Sequence, residues 1–406
     1  MNKILEEICK DFDKCIVNSD QLNIDILSDK YSNNIEYSDE EIKGYINQKM
    51  LTCLGNKRKL VPEIEKILMK IKEKENKTHL NILDAFTGST VCARMFHSHA
   101  QKLYTNDMEK YSYMMAKAFL QKPRYSQIQR INIHIDKMNE IAEKGPYTEG
   151  IISMNYAPKD TKVPKKDERC FYTRENALII DTLRKYIEDK VEGDILHYCM
   201  APLLVIASIN NNTSGVMKGF HKKDGIGNFG GKAENALTRI TRPIRLDKIF
   251  WMNNLEVECY NKDTNILINE LKNLDVIYAD PPYNEHPYSS NYHLLNTIIN
   301  NKLDTDNISK VVGIPNNWNK SNYNYNKNNE AYNSLSELIK NGLKISKYII
   351  LSYNNEGIIS VQKLSEMLSE YNTEKHEIKY DTYKGSKNLK DRPNKVIEIM
   401  YLISKK

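Results

Sequence analysis

The sequence predicts an α/β protein built on a doubly wound, mostly parallel sheet, interrupted by a mainly helical inserted domain. Three observations predict it. Short apolar runs ending in acids, at 80–84 and 102–107, are each followed by a helical pattern, as parallel strands joined by crossover helices require. The rhythm stops near residue 121, where a long stretch becomes helical in places and then polar and glycine-rich. It resumes near residue 256, with further apolar strands at 276–279, 348–351 and 396–403.

Taken in order, residues 1–50 form a charged leader with short helical stretches and no recognisable chemistry. After LTCLGNKRKL, the segment VPEIEKILMKI sets Val61, Ile64, Ile67, Leu68 and Ile71 at helical spacing, with Pro62 near the start. The run Leu80, Asn81, Ile82, Leu83 reads as a buried strand ending at Asp84. It is followed by the loop DAFTGST and the apolar helix VCARMF. A second strand, 102–105, ends in Asn106 and Asp107 before the helix MEKYSYMMAKAFL. Sheets of this kind bind ligands at the carboxyl ends of their strands, where Asp84, Gly88 and Asp107 would sit.

Residues 121–255 read as the inserted domain, with helices in RENALIIDTLRKYIED and ILHYCMAPLLVIASI. Residues 51–120 and 256–406 would together form the domain that carries the chemistry. The Asn- and Tyr-rich stretch 304–335 reads as a flexible loop.

Composition narrows the class only a little. The chain is 40 % hydrophobic and 28 % charged, as a globular protein is. No apolar run reaches the roughly 18–20 residues of a membrane span, and the charged start lacks a signal core, so a cytoplasmic location is expected. The seven cysteines are odd in number and form no CxxC pair; buried, reduced thiols are expected, with no metal site. A net charge of +6 is compatible with a polyanionic partner without requiring one. The segment GIGNFGGKA, at 225–233, is not a phosphate-binding loop: the first glycine of that motif falls on Ile226 and its Ser/Thr on Ala233.

The chemistry concentrates in Asp280, Pro281, Pro282 and Tyr283, directly after the strand 276–279. Such a tetrapeptide suits the activation of a base's exocyclic amine, whose lone pair is delocalised into the ring. The Asp280 carboxylate and the Pro281 carbonyl offer two acceptors for the amine N–H groups, on a backbone stiffened by two prolines. Tyr283 offers a flat face for stacking.

With these residues in place the chain resembles the adenine-specific DNA methyltransferases that include Dam and, more closely, the FokI-type modification enzymes. LGNKRKL, DAFTGS, the acid of TND, RCFYTRENALIIDTLR, NTSGV, DVIYADPPYNEHPYSSNYHLLNTI and LSYNNEGIIS carry the resemblance, in the family's order, over nearly all the chain after residue 50. It implies a Rossmann-like methyltransferase fold, S-adenosylmethionine as cofactor, double-stranded DNA as partner, and a role in restriction–modification beside a cognate endonuclease or as an orphan enzyme. Asp280, Pro281, Pro282 and Tyr283 would be catalytic. Lys57 would contact the cofactor near its methionine carboxylate, Asp107 its ribose, and Phe86, Gly88 and Asp84 the rest of its crevice. Asp263 would line the cofactor or adenine pocket, and Tyr353 would wall the flipped base. Cys53 and Thr90 depart from the family pattern, which has an aromatic at the first position and a small residue at the second.

An adenine inside a duplex is out of reach, so the base must be flipped. Phosphate contacts are expected from Lys218, His221, Lys222, Lys223, Lys232, Arg239, Arg242 and Arg245 of the insert, and base readout from Asn210, Asn211, Asn212, Thr213 and Ser214. Two other readings compete: an RNA base amine methyltransferase, which can carry the same tetrapeptide, and a catalytically silent DNA-binding specificity module.

Overall fold

The computed structural model describes residues 37–51, 55, 57–231, 235–252, 255–316, 324–381 and 395–406. Cys9, Cys15, Cys53, Lys232 and most of the leader lie outside the described residues.

The first described helix, α1 (Asp39–Asn47), starts with a capping box. The Ser38 hydroxyl accepts from the Glu41 N–H, and the Glu41 carboxylate accepts from the Ser38 N–H. Helix α2 (Val61–Glu75) follows the expected spacing and buries Ile64, Ile67, Leu68 and Ile71. Then come β1 (Leu80–Asp84), α3 (Val91–His97), β2 (Ala100–Asn106) and α4 (Lys110–Leu120), each where the sequence predicts it.

The insert contains α5 (Tyr125–Lys144), α6 (Ile151–Asn155), α7 (Arg174–Lys190), α8 (Leu196–Ile209), a two-stranded ribbon of β3 (Lys222–Lys223) and β4 (Ile226–Gly227), and α9 (Leu237–Thr241). Helix α5 is not legible in the sequence, because its buried stripe is only Ile131, Ile135, Met138 and Ala142 on an otherwise polar cylinder. Helix α8 is apolar all round, and every residue from Tyr198 to Ser208 is buried, the pattern of a helix enclosed by others. It packs on α4, α5 and α7.

The remaining elements are β5 (Glu256–Tyr260), α10 (Thr264–Leu267), β6 (Leu274–Ala279), α11 (Tyr288–Asn291), α12 (His293–Asn300), α13 (Ala331–Ile345), β7 (Ser346–Asn354), α14 (Val361–Leu368), β8 (Asn372–Asp381) and β9 (Lys395–Ser404). Of the stretch 304–335, residues 317–323 lie outside the described residues, and the remainder is more ordered than its composition suggests. It holds short 3-10 turns at Thr305–Asn307 and Asn324–Asn326, a bridge between Ile308 and Pro315, and the start of α13.

The seven-stranded sheet has the order β5-β2-β1-β6-β7-β9-β8. β5, β2, β1, β6 and β7 run parallel, while β9 and β8 are antiparallel additions. The two strands missed by sequence reading, β5 and β8, are the sheet's edges. An edge strand buries little and carries polar side chains, so EVECY and NTEKHEIKYD show no apolar run. Helices α2 and α3 cover one face of the sheet, and α10, α13 and α14 the other.

The chain leaves β1 toward β2 on one side, then returns to place β6 on the other side of β1. That reversal is a topological switch point, which opens a crevice at the carboxyl ends of β1 and β6. The insert is not a separate body beside it. Its hydrophobic core includes Tyr111, Met115 and Phe119 of α4 and Leu294, Leu295 and Ile298 of α12.

Candidate active site

Register fixes the two halves of the crevice. Asp84 pairs with Tyr278 across β1 and β6, so Asp84 and Asp280 leave the sheet at the same edge. One cavity there is lined by Lys57, Asp84, Phe86, Gly88, Asp107, Asp263, Asp280 and Pro282, eight of the residues singled out in the sequence.

The loop after β1 is tightly held. Gly88 has φ +53, a left-handed conformation natural to glycine, and its N–H donates to Asp107 Oδ2 at 2.8 Å. The other oxygen, Asp107 Oδ1, accepts from the Glu109 N–H at 2.8 Å. Burial pushes the Asp107 carboxyl up to about 6, against the pull of the Glu109 and Gly88 N–H groups and the Ser112 hydroxyl. Thr90 sits at φ +72, where a β-branched residue is strained. The backbone therefore needs at position 90 the permissive residue that the family pattern has there.

Asp84 is 1 % exposed, and among the described residues no side chain donates to either of its carboxylate oxygens. Burial, then the charges of Asp280 and Asp107, hold its carboxyl well above the usual carboxylate range, against the pull of the Phe86 N–H. A buried acid so sparsely paired is costly, and its oxygens can accept from a donor or a cation brought into the cavity.

Lys57 is the surprise. Its ammonium lies 2.9 Å from Asp280 Oδ1 and 2.9 Å from Glu398 Oε1, and 5.6 Å from the Tyr283 ring centre. Burial works against the charge, yet the two carboxylates hold the ammonium well above its ordinary value. Burial raises the Asp280 carboxyl to about 6, with Lys57 opposing and Glu398 adding to the rise.

The tetrapeptide is braced from behind. The Tyr283 carbonyl accepts from the Ile358 N–H at 2.9 Å. Tyr353 meets Tyr283 edge-on, with ring centres 6.1 Å apart at 68°. Tyr353 is 2 % exposed, and its hydroxyl accepts from the Ile359 N–H. It supports Tyr283 rather than facing an open space. Asp263 caps α10 by accepting from the Asn265 N–H, at the rim between the cavity and a wider cleft beyond it.

The insert's candidates divide. Asn212 is corrected: it is fully buried, its amide donates to the carbonyls of Cys170 and Asn228, and its oxygen accepts from the Gly230 N–H. Asn210 and Asn211 are also buried and donate to backbone carbonyls. These amides satisfy the backbone of a non-repeating segment, so none is free to read a base. Arg239 likewise donates to the carbonyls of Ile209 and Asn211. Lys222, Lys223, Arg242 and Arg245 are exposed, with Lys222 over the Phe220 ring at 4.7 Å.

Sequence reasoning missed Tyr288, which lines the cavity and stacks on Tyr292 at 6.1 Å, and Tyr325, which meets Phe86 edge-on. It also missed Glu398, although an acid inside the apolar strand VIEIMYLIS was a readable signal. Among the described residues no group of His, Cys, Asp and Glu could hold a metal ion, and no helix is long and apolar enough to cross a membrane.

A parallel sheet with a switch-point crevice and an Asp-Pro-Pro-Tyr loop at its rim defines a Rossmann-like methyltransferase. The chain belongs to the D12 class N6 adenine-specific DNA methyltransferase family, whose model matches residues 54–367. It is 29 % identical over 367 residues to the modification methylase StsI of Streptococcus sanguinis, a match covering 87 % of this chain and 52 % of that protein. It is 27 % identical over 333 residues to the type II methyltransferase M.NlaIII of Neisseria lactamica, covering 79 % of this chain and 90 % of the relative. The type II methyltransferase M.FokI of Planomicrobium okeanokoites is 26 % identical over 333 residues, covering 78 % and 46 %. The chain thus spans about half the length of StsI and FokI and most of NlaIII.

Proposed function

We propose that this chain transfers a methyl group from S-adenosylmethionine to the N6 amine of an adenine flipped out of duplex DNA, within a restriction–modification system. The observation that carries the reading is the placement of Asp280 at the end of β6, across the switch point from the buried carboxylate of Asp84.

The residues present fit that cofactor. Asp84 offers a buried carboxylate with no side-chain donor among the described residues to its cationic amino-acid end, Asp107 an acid for its ribose hydroxyls, and Phe86 a partly exposed ring beside a glycine turn. When bound, S-adenosylmethionine supplies an electrophilic methyl on sulfur.

Tyr283 stacks the adenine while Asp280 and the Pro281 carbonyl accept its amine hydrogens, drawing the nitrogen toward tetrahedral geometry. So held, the nitrogen would be presented to the methyl group that the bound cofactor would supply. The surplus proton passes to Asp280, whose carboxyl near 6 both accepts it and releases it to water at neutral pH.

We propose further that 121–255 serves target recognition, with Lys222, Lys223, Arg242 and Arg245 meeting phosphates that offset the cost of flipping. We propose a cognate endonuclease as partner and the cytoplasm as the place of work; relatives are named as modification methylases.

The test is transfer of labelled methyl groups to unmethylated DNA, with the modified bases mapped. N6-methyladenine at one short motif supports the reading, and label in cytosine or only in RNA would sink it. Asp280→Ala should abolish transfer while retaining DNA binding.

A further inference from the structure

Glu398 lies on β9, beyond residue 367 where the family match ends. It faces Asn354 across the β7–β9 ladder and is completely buried. A carboxylate sealed in a sheet is expensive unless paired and hydrogen-bonded. Glu398 has both: the Lys57 ammonium at 2.9 Å and the Ser352 hydroxyl donating to the same Oε1 at 2.6 Å. Lys57 in turn stands 2.9 Å from Asp280. One ammonium therefore serves two carboxylates.

We propose that Glu398, fixed by Ser352, is a positioning residue of the transfer site: it shares the Lys57 ammonium with Asp280 and so keeps Asp280 from being fully neutralised by it. With all three ionised, the cluster retains one negative charge for the amine. A lone Lys57–Asp280 pair would retain none, and Asp280 would be a weaker acceptor.

Among the described residues the surroundings do not supply that charge otherwise. Besides Lys57 and Glu398, the groups acting on or around Asp280 are Asp84 from β1, Cys92 from α3, Tyr278 from β6, Tyr283 of its own loop and Tyr288 from α11. The Cys92 thiol and the Tyr278 and Tyr288 phenols are neutral at pH 7, their ionisation opposed first by burial. Asp84 is similarly held toward its neutral form by burial.

This inference rests on the methyltransferase reading, and the experiment separates the two. Wild-type chain and Glu398→Gln, which keeps the shape and removes the charge, are compared in methyl transfer from labelled S-adenosylmethionine to unmethylated plasmid DNA. Initial rates are followed from about pH 5 to about pH 8. Removing the charge of Glu398 lowers the proton affinity of Asp280, so the acid limb of kcat should move down by about one pH unit. The plateau should fall about tenfold, with KM for the cofactor changed less than about twofold. Glu398→Asp, which keeps the charge, should hold the limb at its wild-type position. Superimposable limbs for wild type and Glu398→Gln overturn the proposal, as does a rise in cofactor KM without a moved limb, which would make Glu398 part of the cofactor grip. A wild type that methylates no adenine overturns the functional reading and this proposal with it. Should Glu398→Gln fail to fold, Ser352→Ala carries the test. A kcat lowered about threefold at unchanged cofactor KM supports the proposal, and an unchanged kcat overturns it.

Discussion

The N–H of Gly88 donates to Asp107 Oδ2 at 2.8 Å, so the loop that follows β1 is latched to the acid that follows β2. A backbone bond between Thr87 and Asn106 joins the same two segments, and the Asp107 carboxylate adds a side-chain latch to it. Asp107→Ala removes that latch and the proposed ribose acceptor together. Hydrogen bonds to charged groups are worth about 1.5–3 kcal/mol, so S-adenosylmethionine should bind about 10- to 100-fold more weakly by titration calorimetry. Far-ultraviolet circular dichroism should be unchanged, because the sheet does not rest on this side chain.

Asp84 ties stability to pH. Its carboxyl is raised by burial and by the nearby Asp280 and Asp107 charges, so between its unfolded and folded values the native chain binds more protons than the unfolded one. The contribution to stability is then fully present below the unfolded value, near 3.9, and is lost as pH rises through the folded one. Asp84→Asn removes this dependence. In ligand-free protein its melting temperature should exceed the wild type's by roughly 3 °C at neutral pH, with the gap closing as the pH is lowered toward 4. The same variant should bind S-adenosylmethionine more weakly. A variant less stable than wild type at neutral pH would contradict the upward shift of the Asp84 carboxyl.

Tyr283 is expected to stack the target base, with Tyr353 standing behind it. Base–aromatic stacking is worth about 1–3 kcal/mol, so Tyr283→Ala should lower kcat/KM for DNA about 10- to 100-fold, while Tyr283→Phe retains most of it. A steady-state comparison on one plasmid substrate checks both. Equal losses in the two variants would assign the role to the hydroxyl instead of the ring.

The insert yields a contrast between neighbouring residues. Asn212→Ala leaves buried carbonyls of Cys170 and Asn228 without their donor, and each such loss costs about 1–3 kcal/mol. Thermal melting should show a clearly destabilised protein with unchanged sequence preference. Lys222→Ala and Arg242→Ala touch exposed side chains. Each should weaken DNA binding alike for all sequences and lower the salt slope by about one, as read by fluorescence anisotropy.

The difference between Asn212 and Arg242 shows where sequence reading stopped. Both are polar residues in a polar segment, and amide side chains that can read bases can equally hold buried backbone. Only folding decides which partner arrives first. The edge strands β5 and β8 were missed for a related reason, since the edge position that makes them polar is set by strands far away in the chain. Helix α5 shows its buried stripe only once α7 and α8 are packed against it.

The sequence by itself determined four of the five parallel strands, the order of the motifs and the tetrapeptide Asp280-Pro281-Pro282-Tyr283, because buried strands are local apolar runs and the chemistry of a loop is written in adjacent residues. It also placed Asp84, Gly88 and Asp107 at strand ends, where the switch point gathers them. The tertiary structure alone decided that Lys57 is shared between Asp280 and Glu398. Those three residues are distant in sequence, and what joins them is the antiparallel return of β9 beside β7. Charge pairing in a sealed interior depends on distance in space, and no local pattern records that distance.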